Sequence, residues 1–334
     1  MKSVKQKSSS ENVLEVKDLK TYFFTGRGVV KAVDGVSFEI KEGETLGLVG
    51  ESGCGKTITC LSILRLVPGP AGRIIGGEII LDGENLLSKS DRDMRRIRGK
   101  KVSMILQDPM VSLNPVFTIG DQMAEPVRIH QKLPRRLVWE KVKEMLRLMS
   151  IPSPEIRIRE YPHQMSGGMR QRVVGGIALS CQPRLLIADE PTTSLDVTIQ
   201  AQYLRLLKEV QQKENLAMIM VTHDLGIVAK VCDRVAVMYA GKIVECGDVR
   251  EIFYRPAHPY TKALLGSLPK MEERQEKLYT IEGQPPELHA LPPGCSFAPR
   301  CPDVQEICKQ EYPPQSIIKD GHYTSCWLFA ARKV

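Results

Sequence analysis

Residues 50–57 read Gly50-Glu51-Ser52-Gly53-Cys54-Gly55-Lys56-Thr57, a glycine-rich loop that ends in a lysine and a threonine. That combination binds phosphate. Glycine lets a backbone wrap closely and turn its N–H groups inward, making a concave anion site. The positive end of a following helix adds to the field. Lys56 would reach the β- and γ-phosphates of a nucleotide, and the Thr57 hydroxyl would be a ligand for Mg²⁺. The plain alternative is a glycine turn with a chance lysine.

Further polar residues end apolar runs. Asp189-Glu190 follows Leu185-Leu186-Ile187-Ala188. Asp189 would hold Mg²⁺, through water, and Glu190 would polarise an attacking water. His223 follows the apolar run 217–221, where it could contact a γ-phosphate, and Gln107 follows 102–106, where it could ligate Mg²⁺ or position water. Ser166-Gly167-Gly168 stands ahead of a helical stretch and repeats the logic of exposed N–H groups at a helix start. Each has a bland reading too: paired carboxylates are common at strand ends, and a single histidine is usually structural.

Four of the nine cysteines form a separate pattern, Cys295-x5-Cys301-x6-Cys308-x17-Cys326, set among prolines. Thiolates select zinc or iron–sulfur centres, and four of them fill either coordination sphere. The tight pairs of structural zinc sites are missing, which favours a cluster; zinc and uncoordinated thiols stay open. His322 is an alternative ligand. The other cysteines (Cys54, Cys60, Cys181, Cys232, Cys246) are scattered and read as small apolar residues.

These groups act together only if a fold gathers the ends of several strands. Leu46-Gly47-Leu48-Val49 feeds the glycine loop, and a helical segment runs from 58 to 66. Before them, 13–40 alternates around Gly26-Arg27-Gly28, as in an antiparallel hairpin, with a further short strand between 76 and 83. From about 108 to 181 the pattern is helical; Val138, Val142, Met145, Leu146 and Met149 form one apolar stripe. Fully apolar runs then alternate with helices, and 235–239 and 242–245 flank Ala240-Gly241 as a hairpin. Buried strands with helical crossovers specify an α/β fold with a parallel sheet, whose carboxyl edge is where ligands bind. Past Arg255 proline density rises and the pattern becomes irregular, so a boundary is expected there.

The 334 residues, 42% hydrophobic and 26% charged, suit a globular protein of one large or two ordinary domains. No run of eighteen apolar residues occurs, so no membrane-spanning helix is expected. The polar residues 1–10 read as a disordered leader. The net charge of +8 allows nucleic acid, an anionic membrane surface or an anionic small ligand as partner.

The ordered set formed by the glycine loop, Gln107, Ser166-Gly167-Gly168, Asp189-Glu190, Ser194-Leu195-Asp196 and His223 resembles the nucleotide-binding subunit of ATP-binding cassette (ABC) transporters, over about residues 13–250. Met169 and Met165 depart from the general pattern, which has Gln and Leu; Met169 occurs in the peptide-importer branch. Gln107-Asp108-Pro109-Met110-Val111-Ser112-Leu113-Asn114-Pro115 and His258-Pro259-Tyr260-Thr261-Lys262-Ala263-Leu264-Leu265 resemble that branch as well. His258 is then a packing or turn residue.

The resemblance implies an ATPase that powers import of di- or oligopeptides. Its expected fold is a RecA-like parallel core with an antiparallel β subdomain and a helical subdomain (about 108–181) in residues 11–255. A small irregular extension with a metal-cluster site follows at 256–334. The implied ATP-binding set is Gly50, Ser52, Gly53, Cys54, Gly55, Lys56, Thr57 and Ile58, with Phe23 stacking on adenine and Tyr22 or Phe24 as fallbacks. Ser166, Gly167 and Gly168 would complete the site of a facing subunit, Asp196 would belong to a loop crossing that interface, and Glu190, His223 and Gln107 would be catalytic. Thr57, Gln107 and Asp189 would hold Mg²⁺, and the four terminal cysteines a [4Fe–4S] cluster serving as a structural staple or redox sensor. Implied partners are two membrane permeases, a paralogous ATPase or a second copy, and, indirectly, an extracytoplasmic peptide-binding protein, at the cytoplasmic face of the membrane. Uptake of nickel or another small solute is the neighbouring alternative. A soluble ABC ATPase acting on nucleic acid or ribosomes is the more distant one.

Overall fold

The computed structural model describes residues 12–108, 112–193, 195–268 and 281–330. The leader 1–10, Ser194, and Pro109, Met110 and Val111 lie outside the described residues.

Two sheets organise the chain. Strands β1 (Asn12–Thr25), β2 (Gly28–Lys41), β4 (Gly72–Leu81) and β5 (Glu84–Asn85) form an antiparallel sheet in the order β2-β1-β4-β5. The main sheet contains β3 (Thr45–Val49), β6 (Val102–Ile105), β7 (Leu185–Asp189), β8 (Ala217–Val221), β9 (Arg234–Tyr239) and β10 (Lys242–Asp248). Together with β11 (Ser316–Lys319) and β12 (His322–Thr324) they are ordered β11-β12-β10-β9-β3-β8-β7-β6. The run from β9 to β6 is parallel, so β3, β6, β7 and β8 end on one edge.

The apolar runs divide between two cores. In β7, Leu185 and Ile187 face the antiparallel sheet with Leu46, Leu48, Ile219 and Val221. Leu186 and Ala188 point the other way, joining Met218, Met220, Val235 and Val237 beneath the helices. A strand buried on both faces has no polar position to spare, which is why these runs are uninterrupted.

Helices α1 (Lys56–Ile63) and α2 (Asp91–Ile97) precede a helical block. That block comprises α3 (Ile119–Gln131), α4 (Arg135–Leu148), α5 (Pro154–Arg157) and α6 (Gly167–Leu179). The expected stripe from Val138 to Met149 is buried in it. Helices α7 (Val197–Glu214), α8 (Leu225–Val231) and α9 (Val249–Tyr254) follow.

Beyond Arg255 the structure differs from the irregular tail expected. Helix α10 (Pro259–Gly266) is capped by His258, whose Nδ1 accepts the Tyr260 N–H at 3.0 Å. After α11 (Glu306–Gln310), β12 pairs with β10 and extends the main sheet. The join is fixed by Glu245, 0% exposed: its carboxylate accepts the backbone N–H groups of Ala257 (2.7 Å) and His258 (2.9 Å) and pairs with His322 Nε2 at 2.8 Å. His322 thus bonds Glu245 through Nε2 and does not line the cavity that the four terminal cysteines share, which corrects its reading as an alternative metal ligand. Strands of three and four residues carry too little alternation to be seen in a sequence.

Candidate active site

The glycine loop spans the gap between β3 and α1. Gly50 and Gly55 have φ of +151° and +108°, and a Cβ on either would run into the carbonyl oxygen of Met238 or Ala32 respectively. Only glycine fits at both places. Gly53 (φ +79°) and Ser52 are exposed at the tip, Cys54 is buried beneath, and Ile58 packs on the core under α1. Lys56 is buried and folded back on its own loop, donating from Nζ to Gly50 O (2.8 Å) and Glu51 O (3.0 Å). An ammonium held by two carbonyls in a ring of glycines is poised for an anion, because carbonyls are weaker partners than phosphate oxygens.

The opposite wall is built by β7. Thr57 Oγ1 donates to Asp189 Oδ1 at 3.3 Å. Asp189 is 3% exposed, and burial pushes its carboxyl above the usual range, with adjacent Glu190 adding to the push. A buried carboxylate beside a threonine hydroxyl suits a hard cation, since both offer oxygen. Glu190 takes an unusual conformation for a non-glycine residue, φ +45°, which turns its side chain off the strand end. Its Oε2 accepts from Gln107 Nε2 (3.0 Å) and Thr193 Oγ1 (3.1 Å), and its Oε1 meets His223 Nδ1 at 3.1 Å. Gln107, Glu190 and His223 thus converge from the ends of β6, β7 and β8, with Asp189 linked to the loop after β3. Gln107 bonds Glu190 rather than the Thr57–Asp189 pair. Thr193 is a member that sequence reading missed.

Other expected members stand elsewhere. Ser166 caps α6, accepting from Met169 N at 3.3 Å, and Gly168 faces Ile199 on α7. Asp196 caps α7 through Ile199 N at 3.0 Å. The contacts of Ser166, Gly168 and Asp196 run along α6 and α7, not into the loop 50–57. Phe23 is half-buried with its ring against Gly72, the Tyr22 hydroxyl donates to Asp34 at 2.6 Å, and Phe24 is exposed near Arg73.

The four terminal cysteines line one small cavity with His258 and Phe297, of about 10 Å³. Such a space holds no more than one water. Burial raises the thiols of Cys301 and Cys326 to about 11, and neighbouring cysteines add to it. The donor type suits a thiolate-bound metal. No three Cys, His, Asp or Glu side chains among the described residues are already arranged to hold one.

Comparison with known proteins agrees with this geometry. The model of the family "ABC transporter" matches residues 33–193, and that of "Oligopeptide/dipeptide transporter, C-terminal region" matches 244–308. The chain is 52% identical to the dipeptide transport ATP-binding protein DppD of Bacillus subtilis, over 95% of both chains. It is 50% identical to the oligopeptide transport ATP-binding protein OppD of the same organism, over 95% of this chain and 88% of that one. The fold is that of a dimeric post-hydrolysis structure of the ATP-binding cassette MJ0796 bound to ADP and Pi, with a TM-score of 0.64 and 24% identity, covering 71% of this chain and 99% of that one.

Proposed function

The chain belongs to the ATP-binding subunits of oligopeptide/dipeptide ABC transporters, and from that premise we propose that it hydrolyses ATP at the β3–β6–β7–β8 edge to power peptide import. The observation that carries the reading is the convergence of Gln107, Glu190 and His223 opposite the Thr57–Asp189 pair. In this reading the loop 50–57, with Lys56, binds the ATP phosphates. Thr57 and Asp189 would hold Mg²⁺, which would neutralise phosphate charge. Glu190 accepts a proton from the attacking water, and Gln107 and His223 hold its two oxygens in place. The strained turn at Glu190 aims the carboxylate away from its own strand, as a general base requires.

The hydrogen bonds of Ser166 and Asp196 and the packing of Gly168 run along α6 and α7, so these residues, with Gly167, serve the site of a facing ATPase subunit, a paralogue or a second copy. Leu106, Val116 and Phe117 are exposed apolar residues flanking the stretch after Gln107, and their surface suits a permease loop. No helix among the described residues is long and apolar enough to cross a membrane; attachment at the cytoplasmic face is through the permeases. Residues 11–255 act as the ATPase domain, and 256–334 as an extension whose Cys295, Cys301, Cys308 and Cys326 ligate a [4Fe–4S] cluster. Thiolate is the donor such a cluster would take, and the four cysteines line one cavity, which supports that assignment.

The test is Glu190→Gln beside Lys56→Ala in the transporter assembled in vesicles. Glu190→Gln should keep ATP bound and lower turnover about 10²–10⁴-fold, the range for a lost general base. Lys56→Ala should lose binding. Unchanged turnover in Glu190→Gln defeats the mechanism. ATPase activity that requires nucleic acid and not the permeases defeats the transport reading.

A further inference from the structure

Glu51 occupies the second position of the phosphate loop, and the C-terminal extension grips it. Its backbone N–H donates to Tyr260 Oη at 2.9 Å. Its carboxylate accepts two N–H bonds from Arg300, at 2.7 Å from Nη1 and 3.0 Å from Nη2. Its carbonyl is one of the two that hold Lys56 Nζ. The Arg300 side chain is only 4% exposed and is itself fixed, donating also to Tyr239 Oη (3.2 Å), Glu282 O (3.0 Å) and Ile281 O (3.4 Å). The rings of Tyr239, Tyr260 and Phe297 pack against one another with centroids 4.6 to 5.4 Å apart, locking this cluster to β9. The next turn, at Gly241, donates its N–H to Cys54 O at 2.9 Å.

We propose that Arg300 and Tyr260 are positioning residues of the nucleotide site: they hold Glu51, and through it the phosphate loop, in the conformation that binds ATP. The inference rests on the nucleotide-binding reading of residues 50–57. Two effects act in the same direction. A planar, two-pronged guanidinium fixes the carboxylate where a single ammonium would let it pivot. It also neutralises a negative charge beside a site that must accept phosphates; without Arg300, Glu51 would repel the ligand. Mg-ATP meets a loop already shaped, so less of its binding is spent on ordering it. Arg300 acts through Glu51.

The test is titration of the full chain with a fluorescent N-methylanthraniloyl ATP. Arg300→Met should weaken binding about ten-fold, within the range of typical couplings between sites. In a Glu51→Ala background the same change should cost under about three-fold, because its target is gone. Tyr260→Phe, which removes one hydroxyl, should weaken binding about three-fold. In assembled transporter, Arg300→Met should raise KM while kcat holds, since the loop is set before chemistry begins. Wild-type affinity in Arg300→Met overturns the inference, as does an undiminished ten-fold loss in the Glu51→Ala background. Should Arg300→Met fail to give the wild-type circular dichroism spectrum, Tyr260→Phe decides: unchanged binding there overturns the inference equally. Binding that survives Lys56→Ala defeats the nucleotide reading itself, and so is told apart from failure of the Arg300 arm.

Discussion

Replacing Glu245 should loosen the extension before it unfolds the rest. In the structure this carboxylate satisfies three buried donors: two backbone N–H groups, from Ala257 and His258, and the Nε2 of His322, itself 1% exposed. Glu245→Ala strands all three, and each buried donor left without a partner costs about 1–3 kcal/mol. The sum, about 3–9 kcal/mol, falls on the join between β10, β12 and the turn into α10. Glu245→Gln keeps one acceptor oxygen but turns an NH₂ toward another donor, and should cost about 1–3 kcal/mol. The two tryptophans offer a readout: Trp139 lies in α4, whereas Trp327 lies beyond β12 and donates its Nε1–H to Glu311 O at 3.0 Å. With Trp139→Phe as background, Trp327 fluorescence reports the extension alone and far-UV circular dichroism the whole. In urea, Glu245→Ala should move the fluorescence transition to lower concentration, ahead of the dichroism transition. Coincident transitions at wild-type midpoints would falsify the idea that this carboxylate secures the extension.

Two further outcomes follow from packing and thiol chemistry. Gly175→Ala places a methyl 2.6 Å from Tyr203 Oη and 2.8 Å from Met149 Cε; overpacking of about 1–3 kcal/mol should outweigh the helix-propensity gain of about 1 kcal/mol, seen as a lower urea midpoint. Cys301→Ser should remove the visible absorbance, iron and acid-labile sulfide of anaerobically purified protein; unchanged iron and sulfide would sink the ligand set.

The gathering of Thr57, Gln107, Asp189, Glu190 and His223 on one edge was readable because each lies in a local pattern. The loop 50–57 is contiguous, and Asp189-Glu190, Gln107 and His223 each end an apolar run, a pattern that specifies a sheet edge without any distant information. The split of Leu185 and Ile187 from Leu186 and Ala188 between two cores follows from the same runs. Three things were not readable. Thr193 reaches Glu190 because of the positive φ at Glu190, and nothing in the residue type announces that conformation. His322 looked free to ligate metal because its partner, Glu245, lies 77 residues away on another strand. The clamp on Glu51 joins residues far apart in the chain: Tyr260 lies in a stretch that marks the family without announcing a contact to the loop, and Arg300 carries no mark at all.

The distance between Glu51 and Arg300, 249 residues, also sets an order of events during synthesis. A ribosome adding about 5–20 residues per second needs roughly 10–50 s to travel that far. For all that time the loop has emerged and its lysine is in place, while the arginine that steadies it does not yet exist. On the proposed clamp, a nascent cassette, like a truncated product lacking the last segment, would bind ATP about ten-fold more weakly than the finished chain.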